Sequence, residues 1–177
     1  MSISPELRQY VRQRANFACE YCGVSEIDSG GELTIDHYCP QRHAGADTED
    51  NLLYACQRCN LYKSDYWPSD ERSPMLWNPR RESRETNMLA LADGTLYHLT
   101  PIGDFTIRRL RLNRPPLVTF RLRQFARTEE VRMLAQFRSL VILLEQLQQQ
   151  HAVLLEEQRA LLAQQRALLI LLLGRNE

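Results

Sequence analysis

The stretch Leu33-Thr34-Ile35-Asp36-His37-Tyr38-Cys39-Pro40-Gln41-Arg42-His43-Ala44-Gly45-Ala46-Asp47-Thr48-Glu49-Asp50-Asn51-Leu52-Leu53-Tyr54-Ala55-Cys56-Gln57-Arg58-Cys59-Asn60-Leu61-Tyr62-Lys63 decides how this chain folds. Three features are layered in it. A short apolar run ends on Asp36-His37, which places two reactive side chains at a strand end. Cys56 and Cys59 complete a four-cysteine set begun by Cys19 and Cys22. Asn51 and Asn60 add side-chain amides at fixed offsets from those cysteines.

The cysteines come as C-x2-C, then 33 residues, then C-x2-C. Each pair can offer two sulfurs from one tight turn, and two such turns close a tetrahedral zinc site. The gap is long for a simple ribbon, so the metal would pin an inserted element, residues 33 to 55. The competing reading is a pair of disulfides. Met1 to Asn16 is Arg-rich and lacks the apolar core of a signal peptide. A cytoplasmic setting follows as the expectation, and there the spacing favours structural Zn²⁺ through Cys19, Cys22, Cys56 and Cys59. Cys39, the fifth cysteine, reads as a small packing residue, and His43 as a surface histidine.

Asp36-His37, the Gly45-Ala46-Asp47 loop, Asn51-Leu52-Leu53 and Cys56-x-x-Cys59-Asn60-x-x-Lys63 together resemble the HNH endonuclease family in its four-cysteine form. The name-giving positions fall on His37, Asn51 and Asn60, the last an Asn where the family pattern has His. Leu76-Trp77-Asn78-Pro79-Arg80, the Asp93-Gly94 turn, Leu99 to Gly103 and Leu110 to Arg114 are similar to the downstream part of stand-alone bacterial members. The resemblance covers about residues 5 to 125. It implies a ββα-metal fold of two strands, a loop and a helix around one divalent cation. It also implies that Asn51 fixes the loop orienting His37 and is no ligand, and that Asn60 completes a metal pair with Asp36.

The residue types suit that chemistry in their own right. Phosphodiester cleavage needs a base for the attacking water and a cation for the charge on the leaving oxygen. Histidine exchanges protons near neutral pH, so His37 is the candidate general base. Asp36 is a hard oxygen donor suited to Mg²⁺ or Mn²⁺. Successive strand residues point to opposite faces, so a regular strand would separate Asp36 from His37; the resemblance implies that the base and the metal ligand sit together at the strand end. Lys63 lies three residues beyond Asn60 on one helix face, where it could touch phosphate.

Formal net charge is zero, yet its distribution is uneven. Lys63 is the only lysine among 22 basic residues; the rest are arginines, whose planar fork matches phosphate. Between Ile107 and Arg127 stand seven arginines and no acid, and Arg108, Arg111 and Arg114 are the candidate nucleic-acid contacts. A solvated helix face is the plainer reading of that run. No apolar run reaches transmembrane length; the longest, Ala167 to Leu173, has seven residues.

In chain order, Ser4-Pro5-Glu6 opens a helix that would bury Leu7, Tyr10, Val11 and Ala15 and end at Asn16. Asp28 to Gly31 is turn-like. Strands are expected at Glu32 to His37 and Leu52 to Ala55, and a helix at Gln57 to Asp65. Residues 66 to 86 read as a surface linker. Asn87 to Ala92 and Thr95 to Leu99 flank Asp93-Gly94, a hairpin signal. Asp104 is expected to cap a helix to about Leu112, with Pro115-Pro116 as punctuation and a helix resuming near Leu117.

From Thr128 to Leu173 there is no Gly or Pro. Met133, Leu140, Leu147, Leu154, Leu161 and Leu168 recur every seven residues, with Leu134, Val141, Gln148, Leu155, Leu162 and Leu169 beside them. Phe137, Leu144, His151, Gln158, Gln165 and Leu172 fill the other seam position. This is a heptad repeat, read as a coiled coil roughly 70 Å long that forms a homo-oligomer. The helix folding back on the rest of the chain is the alternative.

The expectation is therefore an α+β protein in three parts: an HNH nuclease core with a zinc knuckle (1–66), an extension with a β-hairpin and Arg-rich helices (67–127), and a helical tail (128–177). Its expected partner is nucleic acid, DNA ahead of RNA, with no membrane. A non-catalytic zinc module that binds nucleic acid or scaffolds a complex is the rival.

Overall fold

Ser4 stands extended before the first helix, and its hydroxyl accepts the Leu7 amide at 3.2 Å, so α1 runs Pro5–Arg14 as the cap and proline dictate. The computed structural model describes residues 3–70 and 72–173. The fold is α+β. After α1 come the short α2 (Glu26–Ser29), β1 (Thr34–His37), β2 (Leu52–Ala55), α3 (Gln57–Lys63), α4 (Arg84–Asn87), β3 (Met88–Ala90), β4 (Leu96–His98), α5 (Pro101–Arg109) and α6 (Pro115–Leu173). Two two-stranded antiparallel sheets are formed, β1 with β2 and β3 with β4. Contacts divide the chain into residues 1–125 and 126–177.

The first unit holds the core. All four residues of β2 are buried, and Val11, Tyr21, Leu76, Trp77, Met88, Ile107, Leu110 and Leu112 pack into the same cluster. Tyr10, expected in that core, is instead 44% exposed and lies under the Arg14 guanidinium, 5.7 Å from it. One face of its ring is thus met by a cation rather than by the core. Arg12 and Arg14 are staples: Arg12 grips Glu26 through two hydrogen bonds of 2.6 and 2.8 Å, and Arg14 donates to the Leu52 carbonyl at 2.7 Å.

Residues 66–86 are more than a surface linker. Their backbone is largely irregular, but Leu76 and Trp77 are buried. The Trp77 amide donates to Thr106 Oγ1 at 2.8 Å, and the Tyr38 hydroxyl donates to the Leu76 carbonyl at 2.6 Å. These side chains replace the partners that regular structure would give a buried backbone. The α5 cap is Thr100, not Asp104: the Thr100 hydroxyl accepts the Gly103 amide at 3.0 Å, and Pro101 takes the first turn. Arg111, at φ 48, ends any continuation toward Leu112. Pro115-Pro116 do not precede α6 but begin it, because the first turn does not need their missing amide donors. Gly94, at φ 81, turns the hairpin where a Cβ would meet the Val118 carbonyl at 2.8 Å, so Asp93-Gly94 is required by the close approach of α6.

In the second unit, every described side chain from 126 to 171 is exposed, including the leucines of the heptad columns. Among the described residues no helix is long and apolar enough to cross a membrane.

Candidate active site and metal centre

Cys19 and Cys22 flank a tight turn after α1, and Cys56 and Cys59 straddle the start of α3. All four are buried, and their sulfurs lie within 4.8 Å of one another. Bonds of about 2.3 Å to a tetrahedral Zn²⁺ place sulfurs roughly 3.8 Å apart, and Cys22 Sγ sits 3.7 Å from Cys56 Sγ. The cage therefore has the size zinc requires, and all five cysteines are free thiols. Hydrogen bonds from neighbouring sulfurs, then burial, push the Cys22 and Cys59 thiols up, so without a cation this cluster resists full ionisation. The Arg114 guanidinium, 3.8 Å from Cys59 Sγ, supplies positive charge beside the thiolates.

The four-cysteine cage joins the start of α3 to the turn after α1, and α3 meets β1 through its own side chains. Asp36 pairs with Leu53 and His37 with Leu52 across the sheet. Asp36 turns toward α3, where Lys63 Nζ lies 3.1 Å from Oδ2 and 3.3 Å from Oδ1. The same ammonium donates to the His37 carbonyl at 2.5 Å. Lys63 is only 1% exposed. It is thus not the phosphate contact its spacing suggested: a buried ammonium must find an anion, and Asp36 is that anion. Burial raises the Asp36 pKa, and Lys63 opposes the shift. Asp36 Oδ2 is close enough to Lys63 for an ion pair but is not aligned for a hydrogen bond, so a buried carboxylate oxygen remains without one.

His37 closes β1 and points into the loop. Its Nε2 lies 2.6 Å from Asp47 Oδ1, which also accepts from Gln41 Nε2 at 3.0 Å. The His37 hydrogen bond holds the Asp47 carboxyl below the usual range. In the sequence Asp47 stands only as part of the Gly45-Ala46-Asp47 loop, because its ten-residue separation from His37 closes only through the fold. Asn51 clamps the same loop. Its Oδ1 accepts the Cys39 amide at 2.8 Å, and its Nδ2 donates to the carbonyls of Cys39 at 3.0 Å and Ala46 at 2.9 Å. Gly45 completes the clamp, since a Cβ there would fall 1.7 Å from the Cys39 carbonyl oxygen.

Asn60 Nδ2 reaches Thr34 Oγ1 at 3.3 Å. Thr34 and Asp36 share one face of β1 at a two-residue spacing, so Asn60 and Lys63 of α3 meet that face side by side. Asn60 Oδ1 keeps its lone pairs. Asp36 Oδ2 and Asn60 Oδ1 are both hard oxygen donors, a set that fits Mg²⁺ or Mn²⁺.

The arginine run does not form one patch. Arg108 is exposed but pairs with Asp104 Oδ2 at 2.5 Å, so the acid just upstream neutralises it. Arg111 and Arg114 lie over the Tyr62 ring at 4.8 and 5.6 Å. Arg121 is buried and ties Gly94 and Leu112 to α6. Arg111, Arg123 and Arg127 are exposed and have no acidic partner among the described residues.

With this geometry in view, residues 19–65 match the family model of the HNH endonucleases. The match runs from the first zinc-type cysteine to just past Lys63, and an HNH domain occupies this part of the chain. No curated protein matches the chain.

Proposed function

We propose that the HNH domain is a metal-dependent endonuclease that hydrolyses phosphodiester bonds, with DNA as substrate. One observation carries the reading: an imidazole oriented by a carboxylate at 2.6 Å, at the end of the strand whose preceding residue holds a buried, partly uncommitted carboxylate. Asp47 takes one ring nitrogen of His37, leaving Nδ1 to accept the proton of the attacking water. Asp47 then stabilises the imidazolium that forms. The Asn51 clamp holds the loop that carries Asp47. Asp36 and Asn60 would hold Mg²⁺ or Mn²⁺, which would stabilise the charge on the leaving 3′-oxygen. The thiol cage would bind Zn²⁺ and tie the start of α3 to the turn after α1. Five free thiols suit a reducing, cytoplasmic compartment.

The heptad seam supports self-association of the tail, since leucines over six repeats can leave water only against another helix. A closed homo-oligomer would follow.

One observation favours the rival, a non-catalytic zinc module: Lys63 already supplies Asp36 with a cation. Incubation of purified protein with supercoiled plasmid, with and without Mn²⁺ or Mg²⁺, separates the two. Metal-dependent nicking or linearisation supports the nuclease; no cleavage across several DNA and RNA substrates leaves the binding module.

A further inference from the structure

Beside the Asn51 clamp lies a cleft of about 550 Å³, a size typical of small-ligand sites. Tyr38, Trp67 and Trp77 line it, and Asn78, Arg81 and Glu82 stand along it. The aromatic wall is fixed. Tyr38 and Trp67 meet edge to face with centroids 5.8 Å apart. The Tyr38 hydroxyl is spent on the Leu76 carbonyl, and Trp77 Nε1 on the Glu82 carbonyl at 3.1 Å. What this wall offers a ligand is therefore ring face and hydrocarbon.

The polar groups are uncommitted by comparison. Arg81 is exposed and pairs with no acidic side chain among the described residues. Glu82 uses Oε2 to accept from Asn87 at 2.7 Å, which leaves Oε1. A phosphate suits the cleft poorly, because Glu82 and Asp50 both line it and oppose an anion. A planar heterocycle with donors and acceptors on its edge suits it well. Arg81 can donate to a base's carbonyl and ring nitrogen, and Glu82 can accept from an exocyclic amine. Tyr38 and Cys39, which follow His37 in the chain, line the cleft together with Asn51, whose amide clamps the loop that carries Asp47.

We propose that this cleft accepts an unpaired nucleobase of the substrate, stacked on Trp67 and read at its edge by Arg81 and Glu82. The proposal rests on the nuclease reading, and it narrows the substrate to nucleic acid with a base out of the stack: a bulge, a gap or a single strand. A base within a duplex could reach the cleft only by leaving its stack, at a cost in binding.

The test uses full-length, zinc-loaded protein without added Mg²⁺. Fluorescence anisotropy is measured on a labelled DNA duplex and on the same duplex with one bulged base. The bulged duplex should bind about tenfold more tightly, the scale of one base stacked on an aromatic side chain. Arg81→Ala, at an exposed position, should remove most of that preference while zinc content and thermal unfolding stay unchanged. Trp67→Leu should do the same where it folds; where it does not, Arg81→Ala decides. Equal affinity for the two duplexes, or a preference that survives Arg81→Ala, overturns the proposal. Metal-dependent cleavage of the paired duplex is followed in the same preparation. Cleavage without base preference would remove the cleft's role and leave the nuclease reading; neither binding nor cleavage would remove both.

Discussion

A buried ammonium beside a half-buried carboxylate fixes the strand end at the candidate site. Lys63 neutralises Asp36 and holds the His37 carbonyl, so one side chain sets the position of both reactive residues. Breaking such a pair leaves an uncompensated charge in the interior. Lys63→Met should cost about 3 kcal/mol of stability in urea unfolding. Adding Asp36→Asn should restore part of the loss, because the orphaned charge is then gone; simple additivity of the two substitutions would show that the pair is not coupled. Asp47 acts differently, since it meets the His37 ring and the Gln41 amide and pairs with no buried ammonium. Asp47→Asn keeps the shape of the contact and removes its charge. It should lower the cleavage rate by less than His37→Ala does, with zinc content intact, and an unchanged rate would relieve Asp47 of any part in orienting the base.

Among the elements, α1 and α2 are joined by the Arg12–Glu26 fork, with the Tyr54 hydroxyl donating to the same carboxylate. The Arg12 hydrogen bonds, then the Tyr54 bond, bring the Glu26 pKa down from 4.5 to about 2. A depressed carboxylate pKa means that folding favours the ionised form. The stabilisation is present above about pH 4.5 and is lost as pH falls toward 2. Wild type should therefore exceed Glu26→Gln in stability at neutral pH, and the gap should close between pH 4.5 and 2. A gap independent of pH would mean that the fork acts through packing alone. Gly45→Ala tests the loop: its Cβ cannot fit under the Cys39 carbonyl, so the Asn51 clamp must open, lowering both the melting temperature and cleavage.

The elements that were legible in the sequence are those with local signals. The Ser4 cap, the cysteine spacing, the Leu52 to Ala55 run and Asp93-Gly94 each state their structure within a few residues. The inward turn of Lys63, the anchoring of Leu76-Trp77 and the splitting of the arginine run were not legible. Each depends on a partner far along the chain, and a charged side chain's direction is set by the nearest buried opposite charge rather than by helical spacing. Asp47 was hidden for the same reason.

At the scale of the whole molecule, two separate forces organise the chain. The four-cysteine site suits structural zinc, which would supply folding energy to the first unit, whose small sheets alone are marginal. Strong chelation should unfold it and abolish the near-ultraviolet signal of Trp77. The heptad tail offers no core of its own and contains none of the zinc-type cysteines. Light scattering should give at least twice 20.7 kDa, a mass that chelation leaves in place. Deletion of residues 126–177 should yield a monomer with full zinc content. A full-length monomer at micromolar concentration would contradict self-association.

The central claim is that His37 is the base of a metal-dependent nuclease. The measurement that reaches it most directly is the plasmid cleavage rate of wild type and His37→Ala in Mn²⁺, with zinc content determined on both samples. A fall of roughly 10²–10⁴-fold at unchanged zinc is the predicted result, the range expected for loss of a general base. Near wild-type cleavage by His37→Ala, or no metal-dependent cleavage by the wild-type protein, would contradict it.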